Sequence, residues 1–409
     1  MRVLIAGGGI GGLTAALALQ ARGHAVEVFE ATAEIRPLGV GINLLPHAVQ
    51  VLDGLDLADR LLAQGVATRE LAYFNRHGQP IWSEPRGRAA GYQVPQISVH
   101  RGRLQMTLLA AVRERLGDGA LRTDRRLTGF TQDADGVVAR LLDGEGRETT
   151  AAGDLLIAAD GIHSAVRRQF YPEEGAPVYS GRILWRGVTR AAPYMTGASM
   201  IMAGHQDQKF VAYPITTPNA DGMATINWIA ELRRAEMLNR ENWNRAGRLE
   251  DFLPAFEDWQ FDWLGVPALI RGAEAVYEFP MVDRDPVPRW SFGRVTMLGD
   301  AAHPMYPIGS NGASQAILDA RALVEALDAR PDPEAALTAY QDARLAPTAA
   351  IVLANRGNGP EQVMQLAEER APDGFDDIET VIPRAELEGI AARYKQIAGF
   401  DRRQVEARA

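Results

Sequence analysis

The sequence predicts an α/β fold: a parallel nucleotide-binding sheet, an inserted and mainly antiparallel β-sheet domain, and a helical C-terminus. Three observations predict it. First, the apolar run at 3–6 is followed by Gly7, Gly9 and Gly12 in G-x-G-x-x-G spacing, then by Ala/Leu-rich sequence to Ala21 and a second apolar run at 25–29. Second, two later apolar runs, 154–158 and 294–298, deliver Asp160-Gly161 and Gly299-Asp300 at their carboxyl ends, where open α/β sheets bind ligands. Third, between Arg167 and the 294–298 run the pattern changes to short aromatic and β-branched strands at 182–189, 209–215 and 223–230. A Rossmann-like domain would therefore comprise residues 1–70, 96–175 and 281–350. The inserted sheet would take 71–95 and 176–280, and the helical segment 351–409.

Composition narrows the function. The 409 residues contain 43 basic and 52 acidic side chains, a net charge of −9, with no dense Lys/Arg stripe, so no nucleic-acid partner is expected. The absence of cysteine excludes disulfides, thiolate zinc sites, iron–sulfur clusters and a thiol nucleophile. The seven histidines show no metal-ligand spacing, and no metal is expected. The start, Met1-Arg2 and an apolar run to Ala21, resembles a secretory signal, but Gly7, Gly8, Gly9, Gly11 and Gly12 interrupt it. With no run reaching the ~18 apolar residues of a membrane span, a cytoplasmic protein without a membrane span is expected.

The glycine spacing has a physical reading. Gly7 permits the tight turn, Gly9 lets a pyrophosphate reach backbone N–H groups, and Gly12 packs helix on strand. Glu30, 18 residues beyond Gly12, is placed to accept ribose hydroxyls. This fingerprint does not separate NAD from FAD. Three later features favour FAD. Arg36 lies close enough to Glu30 to reach the same cofactor, and Gly39 and Gly41 allow a backbone to approach a flat ring. Asp300 at a strand end can accept from a polyol chain, which ribityl has. After Pro307, Gly309 and Gly312, a helical run at 313–327 would aim its N-terminus at the electron-rich end of a flavin. Asp160 has two readings, cofactor binding or capping of the helix that follows.

These segments, G-x-G-x-x-G with its acid, Asp160-Gly161-x-x-Ser164-x-x-Arg167, and Gly299-Asp300-Ala301-Ala302-His303 with Pro307, resemble the class A flavoprotein aromatic hydroxylases of the para-hydroxybenzoate hydroxylase fold. The resemblance covers residues 1–350. Arg36-Pro37-Leu38-Gly39-Val40-Gly41-Ile42-Asn43, Trp82-Ser83-Glu84-Pro85-Arg86-Gly87, Trp185-Arg186-Gly187-Val188-Thr189 and Met281-Val282-Asp283-Arg284-Asp285-Pro286 are similar to the phenazine hydroxylase branch. The resemblance implies FAD contacts at Gly9, Gly12, Glu30, Arg36 and Gly41, with Arg101 near the ribityl and pyrophosphate and Leu127 beside the adenine. It implies Asp300 on the ribityl chain, residues from Gly309 through Gly312 to Ala313 along the flavin, and Asp160 and Arg167 in flavin and nicotinamide handling. One departure is visible: Ser314 and Leu318-Asp319 stand where many relatives have Asn and a Glu-Asp pair.

The inserted sheet would roof a substrate pocket, with Trp185, Tyr213, Trp228, Met281, Met305 and Tyr306 as candidate walls and the alternative that most are ordinary sheet core. Tyr213 and the loop from His303 to Pro307 are the favoured members. A flat, largely apolar aromatic substrate fits, with a carboxylate or phenol met by Arg186 or His303; the competing role for His303 is a hydrogen bond within its loop. The tail at 361–370 and 384–396 reads as helices packing on the first domain or on a second subunit, which would make a homodimer, and the acidic linker 373–377 as exposed. The resemblance implies an FAD enzyme that consumes NADH or NADPH, bound transiently, and passes one atom of dioxygen to an aromatic ring. The flavin carries that chemistry, so no acid–base residue is singled out. The halogenase motif W-x-W-x-I-P is absent, which counts against that rival. The alternative from another class is a non-catalytic FAD-binding redox sensor or ligand-binding protein.

Overall fold

A computed structural model describes residues 1–236 and 245–407. Its nucleotide-binding core begins with β1 (Arg2–Ala6), α1 (Ile10–Gln20) and β2 (Ala25–Phe29). β1 lies mid-sheet: β2 and Leu121–Arg122 extend to one side, Leu155–Ala158 and Val295–Met297 to the other, every pairing parallel. Val3, Leu4 and Ile5 are fully buried, as a parallel strand covered on both faces requires. Gly7 has φ +107°, and a Cβ there would sit 2.2 Å from the Ala159 carbonyl oxygen. A Cβ at Gly12 would sit 2.0 Å from the Gly7 carbonyl oxygen, so α1 closes on the strand turn only because neither residue has a side chain.

The second layer is an eight-stranded sheet in the order 245–246, Ala273–Asp283, Val178–Ala191, Ala224–Arg233, Gln208–Pro214, Ser199–His205, Glu70–Phe74, Pro80–Pro85. All its pairs are antiparallel except Ser199–His205 with Glu70–Phe74. Side chains alternate across a strand, so the two faces have separate fates. Trp185, Phe210, Trp228 and Ala230 pack outward with Phe252, Phe256 and Trp259. Leu184, Arg186, Lys209, Val211, Tyr213, Ile229 and Glu231 face inward, toward the nucleotide-binding core.

Part of the inward face is covered by the tail, which also packs on the first domain as expected: Tyr394, Ala398 and Phe400 cluster with Leu45, and Gln315 Nε2 donates to the Ala398 carbonyl at 3.1 Å. Val363, Met364 and Ala367 of Gln362–Arg370, with Leu387 and Ile390 of Arg384–Ala398, form one apolar cluster with Leu71, Tyr73, Met200 and Tyr213 of the sheet. These helices bury most of their apolar side chains within the chain. The 373–377 linker is mostly exposed, though Gln79 Nε2 donates to the Phe375 carbonyl at 2.7 Å. Among the described residues no helix is long and apolar enough to cross a membrane.

Candidate active site

Two cavities meet between the layers. The first, about 390 Å³, lies over the carboxyl ends of β1 and β2 and is lined by Gly9, Glu30, Arg36, Leu127 and Asp160. The second, about 410 Å³, runs from Gly9 beneath the eight-stranded sheet, past Gly41, Asp300 and Gly312. Gly9, Arg101, Ala159 and Gly161 line both, so the two are one bent trough.

The first half is held open by backbone contacts. Glu30 accepts from the Gly8 N–H at 2.7 Å and the Thr32 N–H at 2.8 Å, which fixes its carboxylate at the rim. A Cβ on Gly9 would meet nothing within 4 Å, so this glycine faces open trough. Arg36 is an exposed arm paired with Glu34 at 2.7 Å. Asp160 does cap the helix Ala165–Phe170 region: its Oδ2 accepts from the Ala165 N–H at 2.8 Å, while Ser164 Oγ accepts from the Arg167 N–H. Its Oδ1 is buried without a partner, and desolvation raises its pKa against the pull of Ser164 and the Ala165 N–H.

The middle of the trough is set by the loop at 299–313. Asp300 and Arg101 lie deep between the layers yet are open to the trough. Asp319 anchors the loop from behind. It accepts from the Gly299 N–H at 2.9 Å, His303 Nε2 at 2.6 Å and Arg344 Nε at 2.7 Å. Burial alone would raise the Asp319 pKa; His303 and Arg344 overcome it and hold it at about 2. The helix Gly312–Ala329 then starts at the trough wall, where Gly312 and Ala313 present its positive N-terminal end. A Cβ on Gly312 would meet nothing within 4 Å. Ser314 Oγ accepts from the Leu45 N–H at 3.2 Å, which ties this helix to the Gly41–Leu44 strand.

The far half is the pocket beneath the sheet. Gly41 lies flush on its end: its N–H donates to Asn227 Oδ1 at 2.7 Å and its carbonyl accepts from Arg186 Nη2 at 2.9 Å. A Cβ at Gly41 would stand 2.6 Å from Asn227 Cβ and 2.8 Å from Tyr213 Cε2. The glycine is thus needed for the approach of the sheet rather than of a ring. Arg186 Nε is buried and finds no acceptor. Burial pushes the Tyr213 phenol up to about 12 against the pull of Arg186, so it stays protonated at neutral pH. Leu184, Met200, Met202, Val211, Ile229 and Met281 form apolar walls, and Met305 and Pro307 close one side.

Seven expected site residues lie elsewhere. Trp185 and Trp228 are on the outward face, opposite in parity to Leu184, Arg186 and Ile229; Trp185 stacks on Phe252 with centroids 5.0 Å apart. His303 is spent on Asp319, the loop role rather than a substrate contact, and Tyr306 packs behind the wall with Leu184, Met281 and Ile308. Arg167 does not reach the trough: it pairs with Glu174 at 2.9 Å and donates to the carbonyls of Ala302 (2.7 Å) and Asp285 (2.9 Å), strapping the loop from below. Gly309, with φ +66°, is required by the tail, since a Cβ would fall 2.0 Å from Tyr394 Oη. Gly12 shapes the turn without lining the trough. Sequence reasoning missed Lys209, Glu231 and Glu361, which line the pocket end farthest from Gly41. A lysine and a glutamate inside otherwise apolar strands were the available signal.

The trough fits FAD. It is long and bent, it has an acid at the ribose position and another open acid where a polyol would pass, and its two bare glycines lie where backbone must come close. The fold and site define a flavin-dependent hydroxylase. The chain belongs to the family described as FAD binding domain, whose model matches residues 1–354. It is 48% identical over 361 residues to phenazine 1,6-dicarboxylic acid hydroxylase PhzS of Lysobacter antibioticus, covering 87% of this chain and 89% of that one. It is 34% identical to 3-amino-4-hydroxybenzoate 2-monooxygenase of Streptomyces cremeus, over 91% and 89%. In fold it matches Klebsiella pneumoniae HpxO complexed with FAD and uric acid, with a TM-score of 0.72, 24% identity, and coverage of 100% and 95%. The protein is an FAD-dependent aromatic monooxygenase that uses NAD(P)H and dioxygen.

Proposed function

We propose that this enzyme hydroxylates a flat polycyclic aromatic acid of phenazine type, in the cytoplasm, where reduced nicotinamide is at hand. The observation that carries the reading is Arg186: its Nε–H is buried without an acceptor at the Gly41 end of a slot whose side walls are apolar. An unpaired buried donor costs ~1–3 kcal/mol, and an aromatic carboxylate would relieve that cost. The methionine-rich walls suit a broad ring, since thioether groups pack against aromatic faces. The 48% identity to a phenazine hydroxylase supports the same ring class.

In this reading Glu30 holds the ribose, the backbone at Gly9 the pyrophosphate, Leu127 flanks the adenine, and Arg36 and Arg101 face the phosphates. Asp300 holds the polyol, and Gly312 with Ala313 offers the helix N-terminus to the electron-rich side of the ring system. When bound, the flavin supplies reduction by NAD(P)H and activation of dioxygen. The chain's own residues position and desolvate: Arg186 and Tyr213 orient the substrate's acidic edge, and the apolar walls exclude water. The test is NADH oxidation by FAD-loaded protein with phenazine-1-carboxylate, with products identified by mass. Stimulated NADH loss with a product heavier by one oxygen, or with carboxyl replaced by hydroxyl, supports the reading. Unchanged NADH loss sinks the phenazine assignment.

A further inference from the structure

The pocket end remote from Gly41 carries charges that the positioning of flavin and carboxylate does not use. Lys209 stands directly across from Glu231 in the sheet register, and Tyr213 across from Asn227. Lys209 and Tyr213 share a face four residues apart, so their backbones are separated by roughly 14 Å at ~3.4 Å per residue. Lys209 Nζ lies 2.9 Å from Glu231 Oε2 and 2.5 Å from Glu361 Oε2. All three side chains are more than nine-tenths buried, and all three line the cavity.

The donors and acceptors here do not balance. Carboxylates only accept, and two of them share one ammonium that has three donors. Glu231 Oε1 is buried with no hydrogen bond. Arg182 Nε comes no nearer to it than 3.8 Å, and Arg182 Nη2 points to Asn358 Oδ1 at 3.3 Å. One buried acceptor of the cluster, Glu231 Oε1, is therefore left without a donor. Glu361 lies beyond residue 354, where the family match ends, so this end of the pocket is built partly by the chain's own tail.

We propose that Glu231 and Glu361, clamped on Lys209, form a specificity subsite that takes a hydrogen-bond donor on the far ring of the substrate, a hydroxyl, amino or ring N–H group. A second carboxylate there would face two carboxylates and is rejected. The subsite rests on the aromatic-acid reading above and adds that the preferred substrate is acidic at the Arg186 end only.

Two naphthalene probes of matching long axis test it independently of phenazine. Binding of 6-hydroxy-2-naphthoate and of naphthalene-2,6-dicarboxylate to the FAD-loaded enzyme is read from the flavin absorbance change. The wild type is expected to favour the hydroxy acid by about tenfold or more, the worth of a hydrogen bond to a charged acceptor. In Glu361→Gln, and separately in Glu231→Gln, that ratio should fall several-fold while flavin content and the affinity for plain 2-naphthoate hold. A merely structural ion cluster would lower stability and leave the ratio unchanged. Equal or tighter binding of the dicarboxylate, a ratio that survives both substitutions, or no binding of either probe overturns the subsite. Phenazine-1-carboxylate, run alongside, reports on the proposed function separately.

Discussion

His303 Nε2 and Asp319 Oδ2 lie 2.6 Å apart, and the same carboxylate oxygen accepts the Gly299 N–H at 2.9 Å. One buried acid thus fixes both ends of the Gly299–His303 turn that presents Asp300 to the trough, and Arg344 secures its other oxygen. Asp319→Asn would leave Arg344 without a counter-charge, at a cost of ~3–5 kcal/mol. The expected outcome in urea unfolding at pH 7 is a lower midpoint, together with faster flavin release. A variant with unchanged midpoint and flavin retention would contradict the anchoring role.

The same acid sets an acid limit. Its folded pKa of about 2 lies below the ordinary carboxylate value of ~3.9. A depressed folded pKa contributes stability that is fully present above the unfolded value and is lost as pH falls through the folded one. Stability should therefore decline from about pH 4 toward pH 2, and the decline should be shallower in Asp319→Asn. Chemical denaturation at a series of acidic pH values measures both slopes.

Gly9 and Gly12 should behave oppositely although they share one motif. A Cβ at Gly9 meets no atom within 4 Å, and its φ of −78° suits any residue, so Gly9→Val should fold but lose most of its flavin. A Cβ at Gly12 would meet the Gly7 carbonyl at 2.0 Å, so Gly12→Ala should be destabilised itself. Flavin absorbance per mole of protein, with thermal unfolding, separates the two.

Neighbours in sequence should likewise separate by parity. Arg186→Met should raise KM for the aromatic acid about tenfold or more, the scale of a charge-assisted hydrogen bond. Trp185→Phe removes the Nε1 bond to Glu278 (3.1 Å) on the outward face. It should cost ~1–2 kcal/mol in stability and leave KM unchanged. Steady-state kinetics of the pair tests which face is the pocket.

The nucleotide half was legible because its determinants are local. Gly7, Gly9, Gly12 and Glu30 act through spacing along one strand–helix–strand unit, and β2 begins and ends where the apolar run does. The pocket half was not, because it depends on strand parity and on pairs distant in sequence. Trp185 and Trp228 look like pocket walls by residue type, yet each stands one residue out of phase with the residue that lines it, Arg186 and Ile229. Arg167 and His303 sit in motifs beside the cofactor, but their partners, Glu174, Asp285 and Asp319, come from other elements. Glu361 meets Lys209 across 152 residues of chain, and no local pattern announces that contact.

The most direct measurement of the central claim uses isotopically heavy dioxygen with NADH, FAD-loaded enzyme and phenazine-1-carboxylate. A monooxygenase predicts that one heavy oxygen atom appears in the hydroxylated product, in proportion to NADH consumed when turnover is coupled. A hydroxylated product whose new oxygen comes from water, or NADH consumed with no oxygen entering any aromatic product, would contradict it.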